Sequence, residues 1–243
     1  MRIRHENYQL KKRMNKIQSL NNKGKWSLIN ERLVDLYGQP EWRPHLQPVD
    51  ELVSTILSQN TTDTNRDKAF FAIKEQYPEW QMVIDATESA VIETIRPAGL
   101  ANQKGPRIQA ALVDIKVAQG EISLDFLNDL PLEDARKWLV QLHGVGPKTS
   151  AIVLLFAFNR PAFPVDTHVF RLSKRLGLID ENISAEKAHE VLESMIEPDS
   201  YYAFHLNLIR HGREVCSARN PKCELCPLQE MCDYYRLVVQ AAE

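Results

Sequence analysis

The chain has 243 residues, 44% of them hydrophobic, and a formal net charge of −2 at pH 7. That suffices for one large domain or two small lobes with their own cores, and it excludes a disordered, collagenous or coiled-coil chain. The longest apolar runs, such as Ala151 to Phe158, are too short to cross a bilayer, and the charged N-terminus carries no apolar run that could act as a secretion signal, so the expectation is a soluble, cytoplasmic protein.

The charge is unevenly spread. Residues 1–25 hold Arg2, Arg4, Lys11, Lys12, Arg13, Lys16, Lys23 and Lys25 against Glu6, a net +7 that leaves −9 on the remainder. This segment reads either as a solvated extension or as a basic arm that adds salt-sensitive phosphate contacts.

Helical signals dominate from there on. Pro48, with Asp50 as the cap, opens an apolar-periodic stretch through Leu52, Val53, Ile56 and Leu57. Asp63 caps a predicted helix through Ala69, Phe70 and Ile73 that ends near Tyr77-Pro78. Ala86 to Ile95 forms another, stopped before Pro97, and Ile108 to Ala118 follows, ended by Gly120. Pro131 to Leu142 reads as a helix with Ala135, Trp138 and Leu139 on one face, and residues 147–158, 167–177, 185–196 and 199–213 read alike. With no repeat and scarce strand signals, the expected class is all-α with short loops between antiparallel neighbours.

All four cysteines, Cys216, Cys223, Cys226 and Cys232, fall within seventeen residues as C-x6-C-x2-C-x5-C. Four thiolates in one loop suit a metal centre. Disulfides fit poorly in a cytosolic chain. Structural zinc stays open on spacing alone, although zinc modules often carry two C-x2-C knuckles and this chain has one. Either centre is structural, since its four ligand positions are filled. Arg213, Arg219 and Lys222 in or beside this loop are either phosphate contacts or ordinary surface charge.

The segment Leu142-His143-Gly144-Val145-Gly146-Pro147-Lys148-Thr149 joins two predicted helices. Gly144 suits a left-handed residue ending the first, Gly146 permits a tight turn, and Pro147 suits the first position of the second. Successive outward amides there make a site for a phosphate oxygen, unless the turn is a plain helix connection. A nucleotide P-loop is a weaker rival, because Pro147 separates Gly146 from Lys148 and a helix rather than a strand precedes. Lys148 sits in the first turn of the second helix, where the positive helix end and desolvation both push a lysine pKa down. A neutral amine is what a Schiff-base nucleophile requires; the plain alternative is an exposed loop lysine. Eighteen residues further lies Asp166, a natural helix cap and equally a carboxylate able to stabilise a cationic sugar.

On the segments LHGVGPKTS (142–150), VDTHVFRL (165–172), HGREVC (211–216) through Cys232, and ILSQNTTD (56–63), the sequence resembles the endonuclease III-like helix-hairpin-helix DNA glycosylases. The resemblance covers roughly residues 30–235. It implies a two-lobed all-α fold: a six-helix barrel lobe with the helix-hairpin-helix over 42–160, a helical iron–sulfur lobe over 26–41 and 161–243, and 1–25 as the basic extension. It implies a [4Fe–4S] cluster rather than zinc, and double-stranded DNA with damaged bases or abasic sites, bound across the groove by a monomer. By carry-over, Lys148 is the Schiff-base nucleophile and Asp166 the catalytic carboxylate. Gln59 and Asn60 fill the gap left by the extruded nucleotide, Leu100 is an apolar wedge on the opposite strand, and the hairpin Gly144, Val145, Gly146 with Thr149 grips the backbone. Without the family, Gln59 and Asn60 read as polar caps and Leu100 as a core leucine.

The implied reaction is excision of a damaged base, an oxidised pyrimidine by default for a lysine-bearing member, followed by strand cleavage. His143 stands where the family usually has proline, and Asn60 where glutamine is common. A mismatch-specific thymine or uracil glycosylase lacking the lyase step is the alternative within the superfamily. An adenine-mispair enzyme fits less well, since its glutamate would fall near Thr55. Outside it, a non-catalytic DNA-binding iron–sulfur protein is the alternative, opposed by the retained pair Lys148 and Asp166.

Overall fold

The structure is a computed structural model and describes residues 22–240. Arg2, Arg4, Lys11, Lys12, Arg13 and Lys16 of the basic segment lie outside the described residues. Among the described residues there is helix and no strand, so the all-α expectation holds, and no helix is long and apolar enough to cross a membrane. The chain divides into two compact units, residues 43–164 and residues 1–42 with 165–243.

The unit 43–164 is built around α2. Its elements are α2 (Pro48–Ser58), α3 (Asp63–Gln76), α4 (Trp80–Asp85), α5 (Glu88–Thr94), α6 (Ala101–Gln119), α7 (Leu132–Gln141) and α8 (Pro147–Ile152), which runs on through a π-helical turn at Val153–Ala157. Residues 51–57 are all buried, as befits a helix with neighbours on every side: α3, α6 and α8 all pack on α2. The core draws Leu52, Ile56, Ile73, Ile108, Leu112, Leu139 and Leu154 from these helices.

Two caps differ from expectation. The residue preceding α2 is Gln47, and Asp50 lies inside the first turn, where its carboxylate accepts from Trp80 Nε1 at 2.8 Å and Lys74 Nζ at 3.3 Å. Pro48 presets the first turn, which leaves Asp50 free to tie α4 and α3 to α2. The cap of α3 is Thr62, whose hydroxyl accepts from Asn65 N at 3.3 Å, one residue ahead of Asp63. In this unit two helical stretches escaped the pattern reading: α4, a single short turn and a half, and α6 upstream of Ile108, where Pro106 interrupts the sequence but not the helix.

Glu51 is buried at 8% exposure, and desolvation pushes its pKa up to about 7 despite a 3.4 Å hydrogen bond from Thr55. A carboxyl raised in the folded state binds protons that the unfolded chain has already released. Its contribution to stability is therefore greatest below the unfolded value of 4.5 and is lost as pH rises towards about 7. Glu51→Gln should raise stability at pH 8, by a ceiling on the order of 3 kcal/mol, and change it little at pH 4.5. Urea unfolding at both pH values checks this; an equal effect at the two would refute it.

The other unit contains α1 (Asn22–Tyr37), α9 (Thr167–Arg175), α10 (Ala185–Met195), α11 (Tyr201–Glu214) and the cysteine loop. Trp26, Ile29 and Leu33 bury one stripe of α1, with the Trp26 ring edge-on to Phe204 of α11 at 6.1 Å. Gly38 ends α1 at φ +85°, and Asn207 donates to its carbonyl at 3.0 Å. Gly177 is needed after α9: a Cβ there would lie 1.9 Å from Asp233, which Lys25 holds at 3.2 Å.

Candidate functional site

Within the unit 43–164, α7 ends at Gln141 and α8 begins at Pro147. Gly144 turns the chain at φ +82°, as its residue type required, while Gly146 is extended and a Cβ there would meet nothing within 4 Å. Val145 and Thr149 are 5% and 4% exposed, so their side chains point into the core and only their backbone is offered outward. Lys148 is half-buried in the first turn of α8. A Cβ at Gly144 would lie 2.7 Å from Arg107 Cδ, so the hairpin needs both the left-handed backbone and the missing side chain. Gly144→Ala should destabilise the protein by about 1–3 kcal/mol in thermal unfolding and weaken DNA binding with it. An unshifted melting temperature would count against this account of the turn.

The SQN segment leaves α2 beside this hairpin. Gln59 is half-buried, donates from Nε2 to Gly144 O at 3.2 Å, and accepts from Arg107 at 3.5 Å. It braces the hairpin against α6. Asn60 is exposed and left-handed at φ 53°. Leu100 also stands at positive φ, 50°, and is 48% exposed, which a core leucine would not be. A β-carbon in that region costs about 1–2 kcal/mol, so the surroundings must enforce it. Beneath both lies Lys104, a residue no sequence signal marked, 1% exposed with Nζ donating to Leu57 O and Ala98 O, each at 2.8 Å.

In the other unit, Asp166 precedes α9 with an extended backbone, and its carboxylate accepts from Val169 N at 2.7 Å. The capping role is thus present, and the second carboxylate oxygen remains for other work. One helix turn on, Arg171 donates to Cys216 O at 2.9 Å and Gly212 O at 3.0 Å. Arg175 reaches Cys216 Sγ at 3.2 Å and Ser217 O at 2.8 Å, and stacks over Tyr234 at 4.4 Å. These two arginines, four apart on one helix face, hold the start of the cysteine loop. Sequence reasoning passed over both, since arginines on a polar helix face carry no special mark. Gly212 lets α11 approach α9: a Cβ there would sit 2.7 Å from His168 Nδ1. Arg213, Arg219 and Lys222 are all exposed.

The four cysteines are thiols rather than disulfides and line one pocket together with Val215, Gln229, Tyr234 and Tyr235. Burial pushes the Cys226 thiol up to about 12 and raises Cys223 and Cys232, and neighbouring thiolates add to each. Four thiolates crowded this way require positive charge among them, which a metal centre supplies. Tyr37 Oη lies 3.1 Å from His211 Nδ1, and His211 Nε2 lies 3.4 Å from Cys226 Sγ. Burial lowers the His211 pKa to about 4. With the tyrosine donating, its Nε2–H points at the sulfur, an outer hydrogen bond of the kind that tunes cluster ligands.

Comparison with known proteins converges on these features. Residues 53–198 match the HhH-GPD superfamily base excision DNA repair protein family, and residues 216–232 match the iron-sulfur binding domain of endonuclease III. The chain is 39% identical over 185 residues to endonuclease III of Rickettsia prowazekii, covering 76% of this chain and 82% of that one. Against endonuclease III of Thermotoga maritima it is 32% identical over 81% of this chain and 88% of the other. Among solved structures it superposes on a non-covalent endonuclease III–DNA complex with a TM-score of 0.77 at 27% identity, covering 92% of this chain and all of that chain. A trapped endonuclease III–DNA covalent intermediate gives a TM-score of 0.75 at 28% identity, over 88% of this chain and 96% of that one.

Proposed function

The chain belongs to the HhH-GPD superfamily of base excision DNA repair proteins, and from that premise we propose that it removes oxidised pyrimidines from duplex DNA through a Schiff base on Lys148. It is a DNA glycosylase with abasic-site lyase activity, it binds DNA, and it carries a [4Fe–4S] cluster. Cys216, Cys223, Cys226 and Cys232 would hold that cluster, whose contribution is to cross-link the loop that follows α11 rather than to react with the base. The working form is a monomer in the cytoplasm, acting on DNA with a damaged base or an abasic site.

The observation that carries the reading is Lys148 in the first turn of α8, directly after a left-handed glycine hairpin. A stacked base cannot be attacked, so the nucleotide is first turned out of the helix. The exposed Leu100 and Asn60 would occupy the space it leaves, while the hairpin amides and the helix end hold the backbone phosphate. The amine of Lys148 then attacks C1′. The glycosidic C–N bond breaks, its electron pair leaves with the base, and the base takes up a proton. The Asp166 carboxylate would stabilise the positive charge that develops on the sugar. The lysine nitrogen then loses a proton and its lone pair opens the sugar ring, the C1′–O4′ bond breaking and O4′ taking up a proton, to leave an iminium at C1′. Loss of a proton from C2′ of that iminium expels the 3′ phosphate and cuts the strand.

The test uses duplexes carrying thymine glycol, uracil, a G·T mismatch or an abasic site, with borohydride to reduce any Schiff base to a permanent crosslink. Crosslinking to the thymine glycol duplex is the expected result. Crosslinking to the abasic site alone would keep the lyase and refute the pyrimidine assignment.

A further inference from the structure

We propose that Lys104 is a positioning residue that clamps the Gln59–Asn60 turn and the Leu100 wedge to each other, so that both enter the duplex as one unit when the nucleotide is extruded. This rests on the roles given to Asn60 and Leu100 above.

A lysine is almost never fully buried unless its ammonium is paired or fully hydrogen-bonded, because stripping water from the charge is costly. Lys104 is 1% exposed, and its ammonium is met by two carbonyls, Leu57 O and Ala98 O, both at 2.8 Å. Each carbonyl belongs to the C-terminal end of a helical segment, α2 and the turn Arg96–Ala98, where unsatisfied carbonyls carry partial negative charge. In the last turn of α2 the other carbonyls already have donors. Thr55 O takes Ser58 Oγ at 2.7 Å, Ile56 O takes Gln59 N at 3.3 Å, and Ser58 O takes Thr61 N at 3.4 Å. Leu57 O depends on Lys104.

The placement of these carbonyls gives the clamp its purpose. Leu57 lies two residues before Gln59, and Ala98 two residues before Leu100. Both segments then turn through left-handed residues, Asn60 at φ 53° and Leu100 at φ 50°, which persist only where the frame over-determines them. Lys104 also donates its own backbone N–H to Leu100 O at 3.0 Å, so it holds the wedge from main chain and side chain together. Burial lowers its pKa to about 8, and the ammonium is still the main form at pH 7.

The test compares borohydride trapping rates, at pH 7 under single turnover, on one abasic site placed in a duplex and in a single strand. Only the duplex needs the wedge and the turn. Lys104→Met fills the same space without a donor, and it should lower the duplex-to-single-strand ratio at least tenfold. Leu100→Ala should do the same, and the double variant should be no worse than the poorer single one, because both act on one step. Should Lys104→Met not fold, Lys104→Gln, which keeps one donor, is read by the same ratio. Equal loss on both substrates would mean a purely structural lysine and would overturn the proposal, as would an unchanged ratio beside a lowered one in Leu100→Ala. An unchanged ratio in Leu100→Ala would remove the wedge assignment itself, a separable failure that takes the clamp with it.

Discussion

Lys148→Gln should give no borohydride-trapped crosslink with any duplex and should slow strand cleavage by at least about 10³-fold, a barrier increase of roughly 4 kcal/mol. The amide has similar length and polarity but no lone pair able to attack C1′. The protein itself should not suffer. Lys148 occupies the first turn of α8, where the helix field disfavours a cation, so its removal should leave stability unchanged or raise it by about 0.3–1 kcal/mol. A small rise in melting temperature beside a lost activity is the pattern of a residue kept for chemistry against its local preference. Binding to a duplex with an unreactive abasic analogue should hold within a few-fold, since the hairpin amides remain. If crosslinking persists in Lys148→Gln, another amine is the nucleophile. If binding collapses together with cleavage, Lys148 serves mainly as a phosphate contact.

Much of this site could be read from residue types whose backbone demands are local. Gly144 was placed as a left-handed residue from its position after a periodic stretch, and it stands at φ +82°. Asp166 was legible as a cap because Val169, three residues on, supplies the N–H that its carboxylate takes. The cysteine spacing spoke for a metal centre by its density alone, and the choice of iron–sulfur over zinc came from the resemblance. What stayed hidden depends on long-range partners. Nothing in the neighbourhood of Lys104 announces burial, because the carbonyls it serves lie 47 and 6 residues away and belong to two segments. Leu100 looks like any core leucine until its backbone turns out and leaves it 48% exposed. Asp50 met the rule for a cap and was drawn instead to the Trp80 indole, thirty positions on in the sequence. The helix α1 went unread because its apolar stripe, Trp26, Ile29 and Leu33, is narrow, and its partner Phe204 comes from the far end of the chain.

Hidden and legible residues differ in the same way in what they hold. The legible ones fix one turn of backbone each. Lys104, Arg107, Arg171 and Arg175 instead fasten segments to each other: α2 to the wedge, the hairpin to α6, and the cysteine loop to α9. Lys104, Arg171 and Arg175 do so by presenting several donors to backbone carbonyls, which long cationic side chains do better than any other type, and Arg107 by one contact with the Gln59 side-chain oxygen. In a binder of DNA they would ordinarily be taken for phosphate contacts. Here their charge is turned inward, so removing one should alter geometry before it alters the salt dependence of binding.

Asp166→Asn should slow base release by about 10²–10³-fold, roughly 3–4 kcal/mol, with little change in stability. The substitution separates two roles that sit on one carboxylate. Asn caps a helix about as well as Asp, and its amide oxygen can still accept from Val169 N, so α9 should keep its start and the protein its melting temperature. What it cannot supply is negative charge opposite a sugar that becomes cationic as the base departs. Asp166→Ala removes both functions and should add a loss of about 1 kcal/mol in stability to the slower reaction. The effect should be larger on base release than on trapping at a preformed abasic site, where no base remains to be expelled. His168 supplies a check on the charge itself. Burial lowers its pKa, and Asp166 partly opposes that, so in Asp166→Asn the imidazole should titrate lower still by NMR. Full activity in Asp166→Asn beside a loss in Asp166→Ala would assign the residue to capping alone and leave the cationic sugar to be stabilised by another group.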